Sequence, residues 1–242
     1  MLDTHCHIDL YPQPQLILAE CDRKGFSIIS MTNLPSHFEM GYPHFQSLKK
    51  IRLALGMHPM YAQRHQKEFP QFLENLSRTS YIGEVGLDFS KEGRDTKEIQ
   101  VDSFERILKI LSGQKKLLSI HSRQAEKEVL ELLVKYKIEN AIFHWYSGPL
   151  NLIESIISEG YFFSVNNAMV QSESGRKIIG KIPLDFLLTE TDGPFIAENN
   201  VPLKPGQVTQ VISYVGQLLN ISERLVEQAV LANFNKIISN LK

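Results

Sequence analysis

At 242 residues, 43% of them hydrophobic, the chain is long and apolar enough for one large domain over residues 1–242, a length at which α/β barrels are common. Lys and Arg number 26 against 27 Asp and Glu, which excludes a global basic field that would draw in nucleic acid, so a phosphate-bearing partner has to be caught locally. Two cysteines, Cys6 and Cys21, exclude a disulfide framework; no apolar run reaches the roughly 18 residues of a membrane span, and the opening MLDTHCH has no basic or apolar leader segment, so a cytoplasmic protein without membrane contact is expected.

The chain opens on a strand read over Leu2 to Ile8. Residues i and i+2 of a strand share a face, so His5 and His7 aim two imidazoles at one point, while Cys6 faces the other way and is expected to pack between strand and helix. A helix over Gln13 to Lys24 leads to a second strand, Ser27 to Thr32, and the third, Ile51 to Met57, runs into Gly56-Met-His-Pro59. The fourth strand, Ser80 to Val85, carries Gly83-Glu-Val-Gly-Leu-Asp88, and a helix follows over Lys97 to Ser112. Strand five, Leu117 to Ile120, ends in His121-Ser-Arg123, with a helix over Ser122 to Tyr136. Strand six, Ala141 to His144, continues into Trp145-Tyr-Ser-Gly148, and a helix covers Leu150 to Ser158. Strand seven is Tyr161 to Val165, and strand eight, Phe186 to Thr189, ends in Glu190-Thr-Asp192-Gly-Pro194. The tail holds helical segments over Gly206 to Leu219, Ser222 to Ala232 and Asn233 to Leu241.

Eight strands alternating with helices predict a parallel sheet closed into a (β/α)8 barrel. An open doubly wound sheet usually carries a Gly-rich loop after its first strand, and none is present here. Barrels of this kind keep their chemistry at the C-terminal ends of the strands. Of the eight histidines, His5, His7, His58, His121, His144 and, less clearly, His65 fall at or just beyond such ends. His5, His7, Glu84, His121, His144 and Asp192 form a donor set for two divalent cations, of a metal that spacing alone does not choose.

The segments around His5, Gly83 to Asp88, Ile120 to Arg123, Phe143 to Gly148 and Leu187 to Pro194 are together similar, in order and spacing, to the TatD family of metal-dependent deoxyribonucleases. The resemblance covers essentially the whole chain. It implies a TIM barrel of the metal-dependent hydrolase, amidohydrolase-like type and hydrolysis of DNA phosphodiester bonds at a dinuclear centre of Mg, Mn or Zn. Position by position, it implies that His5 and His7 hold one metal with Asp192, that His121 and His144 hold the other, and that Glu84 bridges them. Related barrels often place a carboxylated lysine where Glu84 stands. The wording Thr4-His-Cys-His-Ile-Asp-Leu-Tyr-Pro12 with Thr32-Asn-Leu-Pro-Ser36 further resembles the TatD-like nucleases that accompany the Qat anti-phage defence genes, which implies other proteins of a defence operon as partners.

In this reading Asp192 is the catalytic base as well as a ligand, with Glu84 the other catalytic carboxylate. His58 contacts a phosphate or the rim, and Trp145 or Tyr146 either stacks on a nucleobase or covers the site. Arg123 and Glu190 either touch substrate or pair with each other to orient ligands, and Asp88 also supports a ligand from behind. The loop Ala197 to Pro205 departs from its relatives in having Lys204 as its only cation, and Met60 stands where many have a second histidine. A small electrostatic footprint favours exonuclease-like action on strand ends or single strands. Two rival readings stay open. One is a metal-dependent hydrolase of a small-molecule amide or ester; the other is a defence-complex component acting mainly through partner binding.

Overall fold

The computed structural model describes residues 1–241. Its staves are β1 (Leu2–Cys6), β2 (Ser27–Ser30), β3 (Ile51–Leu53), β4 (Leu55–Met57), β5 (Tyr81–Gly86), β6 (Leu117–His121), β7 (Ala141–His144), β8 (Phe162–Val165) and β9 (Leu187–Thr189). Every pairing among them is parallel, in the orders β1-β2-β3 and β4 through β9. The third predicted strand is therefore two short pieces either side of Ala54, whose N–H donates to Ser30 O at 2.8 Å and so keeps the seam joined to β2. The ring closes between β9 and β1 through side chains: Thr4 Oγ1 donates to Thr189 O at 3.1 Å and Thr189 Oγ1 to Leu2 O at 2.6 Å. The architecture is the (β/α)8 barrel that the alternation predicts.

The strands are buried on both faces, which is why strands such as β7 and β8 read as largely apolar runs without a period of two, while β1 buries Asp3, Thr4 and His5 instead. Around them lie α1 (Pro14–Lys24), α2 (Pro35–Phe45), α3 (Ala62–Asn75), α4 (Lys97–Leu111), α5 (Glu126–Lys135), α6 (Leu152–Ser158), α7 (Asn167–Gln171) and α8 (Glu173–Ile179). Helix α1 begins with proline at N1 and stops at Gly25, whose φ of 68° turns the chain into β2. The helices α2 and α3 carry Pro43 and Pro70 inside them, residues that normally end a helix, and so left no clean helical signal. Helix α5 starts at Glu126 and not at Ser122, because Gln124 adopts a φ of 56°.

The loop after β9 forms a small antiparallel hairpin, β10 (Ala197–Glu198) with β11 (Val201–Pro202). The tail is α9 (Thr209–Leu219) and one continuous α10 (Glu223–Ile238), where the sequence suggests two helices. Asn233 does not interrupt α10, because its Nδ2 donates away from the helix to Leu184 O and Leu187 O, at 2.8 and 2.9 Å. Among the described residues, no helix is long and apolar enough to cross a membrane.

One close approach sets the floor of the mouth. Just past β2, Thr32 N–H donates to Gly83 O at 3.2 Å, and Glu84 N–H donates back to Thr32 O at 3.1 Å. Gly56 lies against this exchange so tightly that a Cβ there would sit 1.5 Å from Thr32 O. Gly56→Ala is accordingly expected to destabilise the fold by at least about 3 kcal/mol, the upper end of overpacking costs, as a lowered midpoint in urea unfolding.

Candidate metal centre

The C-terminal ends of six staves converge on Glu84. It stands on β5, only 2% exposed, and both carboxylate oxygens face imidazoles. On one side, His5 and His7 bring their Nε2 atoms to 3.3 Å from each other. Each lies 3.4 Å from Glu84 Oε2, and Asp192 Oδ1 is 3.6 Å from His5 and 3.7 Å from His7. Ligand atoms set tetrahedrally about 2.1 Å from one cation are about 3.4 Å apart, so each carboxylate oxygen stands at ligand spacing from both imidazoles. On the other side, Glu84 Oε1 meets His121 Nδ1 at 2.5 Å, His144 Nε2 at 2.9 Å and His58 Nε2 at 3.3 Å. Three groups of donors close enough to share an ion result: His5, His7 and Glu84; His5, His144 and Asp192; and His58, Glu84 and His121.

The protonation pattern is that of a cation site. Burial pushes the Glu84 carboxyl up, but the imidazoles of His58, His144 and His121 outweigh it and hold the group well below the ordinary carboxylate range. Burial pushes His5 and His58 down, toward the neutral form; His58 Nδ1 accepts from Met60 N–H at 3.1 Å, which in that form leaves the proton on Nε2, toward Glu84. Burial also opposes charge on His144, yet the carboxylates of Glu84 and Glu190 overcome it and raise that ring well above its usual value; His121 and His7 are raised for similar reasons. Without a cation, protons on imidazole balance the buried carboxylate. Asp192 goes the other way: burial raises it to about 7 against the pull of His144 and His7.

A shell of hydrogen bonds aims these rings. Ser119 Oγ is 2.8 Å from His5 Nδ1, which turns Nε2 to the centre. Asp88 Oδ2 accepts from His121 Nε2 at 2.7 Å, as the sequence suggests for that residue. Glu190 is fully buried, with Oε1 3.6 Å from His144 Nδ1, and it is held by Ser164 Oγ and by Asn166 Nδ2 at 2.8 Å. The ion pair of Arg123 with Glu190 considered above does not form. Arg123 is exposed and lines the cleft, while Glu190 spends its oxygens on Ser164 and Asn166. His65 is buried on α3, where its ring meets Ser103 Oγ at 2.6 Å and His58 O at 3.0 Å; it pins the backbone that carries His58.

His58 sits deeper than a rim contact, within the group that contains Glu84 and His121. Trp145 and Tyr146 separate: Trp145 lines the cleft, whereas Tyr146 is 1% exposed, donates to Pro149 O and packs on Phe143 and Phe163. Lys204 points away from the mouth to Glu20 on α1, at 2.8 Å. Cys6 is fully buried behind β1, as expected. Ser164 and Asn166 stand out in the sequence only as polar residues ending strand seven, with no role attached, and nothing signals Ser119 or Asp3. Asp3 is buried and accepts from Thr191 N–H, Thr191 Oγ1 and Gly206 N–H, tying β1 to the segment that carries Asp192.

A parallel barrel with five imidazoles and two carboxylates at its C-terminal mouth defines a metal-dependent hydrolase. Residues 2–239 match the family described as TatD related DNase, and the chain belongs to that family. It is 26% identical to human deoxyribonuclease TATDN3 over 262 residues, covering 100% of this chain and 96% of that protein. A metal-dependent hydrolase from Methanocaldococcus jannaschii is 24% identical, with 96% and 94% covered. The crystal structure of the TatD homologue YjjV from Escherichia coli superposes with a TM-score of 0.87 at 25% identity, over 98% of this chain and 97% of that one.

Proposed function

We propose that the chain is a divalent-metal-dependent nuclease that hydrolyses DNA phosphodiester bonds, working from strand ends or on single strands. Two cations of Mg, Mn or Zn would be held, one by His5, His7 and Asp192 and the other by His121 and His144 with His58 beside them, and Glu84 would serve both. The observation that carries this reading is that His5 Nε2 and His7 Nε2 lie 3.3 Å apart and 3.4–3.7 Å from Glu84 Oε2 and Asp192 Oδ1. The deoxyribonuclease name of the human relative supports DNA as the substrate. When bound, the cations supply Lewis acidity that brings the pKa of water from about 15.7 toward about 7.

The chain's own groups do the rest. The Asp192 carboxylate, buried just past the end of β9, is placed to accept the proton of the attacking water. Ser119, Asp88 and Glu190 fix the rings, so the donor atoms need little reorganisation when charge develops. Arg123 contributes a cation for substrate phosphate at the cleft wall. Residues 1–242 act as one domain in this proposal, in the cytoplasm, and the resemblance to the nucleases of the Qat genes supports a role in anti-phage defence beside partner proteins.

Elemental analysis and an assay on 3′- and 5′-labelled single and double strands test it. Close to two ions per chain and progressive shortening from an end are expected. Cleavage of intact circular duplex with a steep salt dependence would overturn the end-directed form; turnover of a small ester or amide with DNA untouched would replace it with the rival hydrolase. Stripping the metal should also lower the melting temperature. Saturation at about 100 times Kd stabilises by about 2.7 kcal/mol, or roughly 5–10 °C for a chain of this size, and re-addition of Mn should restore it in a thermal melt.

A further inference from the structure

Three aromatic rings stand around the mouth, each tied to a different donor residue. Phe195 is 60% exposed, its N–H donates to Asp192 O at 2.9 Å, and its ring stands near-perpendicular to His7 at 5.1 Å. Tyr61 donates its N–H to His58 O at 2.9 Å, and its ring is edge-on to the His58 ring at 6.1 Å. Trp145 follows His144 directly and holds a φ of 38°. For a bulky L residue the left-handed region costs about 1–2 kcal/mol, and such strain persists where its surroundings enforce it, which is most often at a working site. All three line one cleft of about 640 Å³ with Glu84, His121 and Asp192, within the range of small-ligand sites. All three residues are partly open to solvent, Tyr61 by 37% and Trp145 by 36%.

Cations held by Glu84 and Asp192 would meet the one phosphate at the centre, but the rest of the cleft offers little to a longer polyanion. Among the described residues, Arg123 is the only lysine or arginine in the lining, against Asp88 and Glu92 beyond the two carboxylates of the centre. An exposed ion pair contributes at most about 1 kcal/mol, whereas a base stacked on an aromatic ring contributes about 1–3 kcal/mol. Away from the metal centre, stacking is therefore the stronger handle.

We propose that Trp145, Phe195 and Tyr61 form a base-stacking subsite that holds the nucleobase flanking the phosphate at the metal centre, so that the enzyme selects a strand by an unstacked base and not by backbone charge. This rests on the phosphodiester reading above. The subsite accepts any base, since each offers a π-face.

The test compares an end-labelled single strand with the same strand carrying abasic residues at its last two positions. Wild type is expected to show kcat/KM roughly ten-fold lower on the abasic strand, carried mainly by KM. In Trp145→Ala and Phe195→Ala the two strands should converge, through loss on the intact strand only, and Trp145→Phe should restore the difference. Trp145 is the single tryptophan of the chain, so its emission in the Asp192→Asn protein with Mg should be quenched by the intact strand and not by the abasic one. Equal wild-type rates on both strands, variants that slow both strands alike, or emission unmoved by the intact strand would each overturn the subsite while leaving the nuclease standing. Hydrolysis of neither strand would remove the nuclease, and the subsite with it.

Discussion

Glu84→Gln is expected to abolish hydrolysis, with kcat/KM falling on the order of 10⁴-fold, about 5 kcal/mol of barrier, and to reduce bound metal from about two ions per chain to fewer than one. The expectation rests on how many donors depend on that one carboxylate. Oε2 faces His5 and His7 at 3.4 Å, and Oε1 faces His121, His144 and His58 within 3.3 Å. Glutamine keeps the shape but removes the charge, and it turns an amide N–H₂ toward imidazole nitrogens. The loss is felt without metal too. In the metal-free protein the Glu84 carboxylate is the largest influence holding protons on His144 and His121, so removing it leaves the buried imidazoles with only Glu190 and Asp88 to balance them. Breaking a buried pair from one side costs about 3–5 kcal/mol, so the chelated variant should melt below the chelated wild type. A variant that retained two ions and hydrolysed DNA would show that Glu84 bridges nothing.

The donor set was legible because its rules are local. A strand ends, a polar residue follows, and spacing by two puts His5 and His7 on one face; each of the remaining donors is announced by its own strand end. The barrel was legible for a related reason, since strands buried on both faces leave unbroken apolar runs that helices separate. What supports the donors is not local. Ser119 reaches His5 across 114 positions, and Ser164 and Asn166 reach Glu190 from the neighbouring stave, so no spacing could signal them. Serine and asparagine are also common loop and cap residues, and Asn166 caps α7 through its Oδ1 while its Nδ2 serves Glu190.

Depth was equally hidden. His58 and Trp145 both follow strand ends, and only the fold shows one beside the bridging carboxylate and the other at the rim. Tyr146, next to Trp145, turns inward to Pro149 O, Phe143 and Phe163, contacts that no local pattern announces. Helices α2 and α3 were masked by Pro43 and Pro70, where packing on the barrel outweighs the local cost of proline. The unbroken α10 depends on two carbonyls beneath β9 that take the Asn233 amide.

Asp192→Asn should separate activity from stability. Its kcat is expected to fall about 10²- to 10⁴-fold, the range for a general base, while the metal-free protein gains stability at alkaline pH. The sign follows from the direction of the shift. Burial raises Asp192 from 3.8 to about 7, with Glu190 and Glu84 pushing the same way and His144 and His7 pulling against them. A carboxyl with a raised folded pKa binds its proton more tightly folded than unfolded, so its contribution is complete below about pH 4 and is lost as pH rises through about 7. The shift of about three units corresponds to something on the order of 4 kcal/mol. Asparagine never ionises and escapes that loss. Urea unfolding of both chelated proteins from pH 5 to 8 should show the difference between them moving in favour of the variant as pH rises, whatever the histidines contribute to both profiles. Metal binding should carry the mirror image: wild type gives up the Asp192 proton as well as those of the raised imidazoles on loading, so the variant's affinity should climb less steeply toward pH 7, by the Asp192 share alone. Parallel stability profiles would mean that the buried Asp192 carboxylate carries no strain.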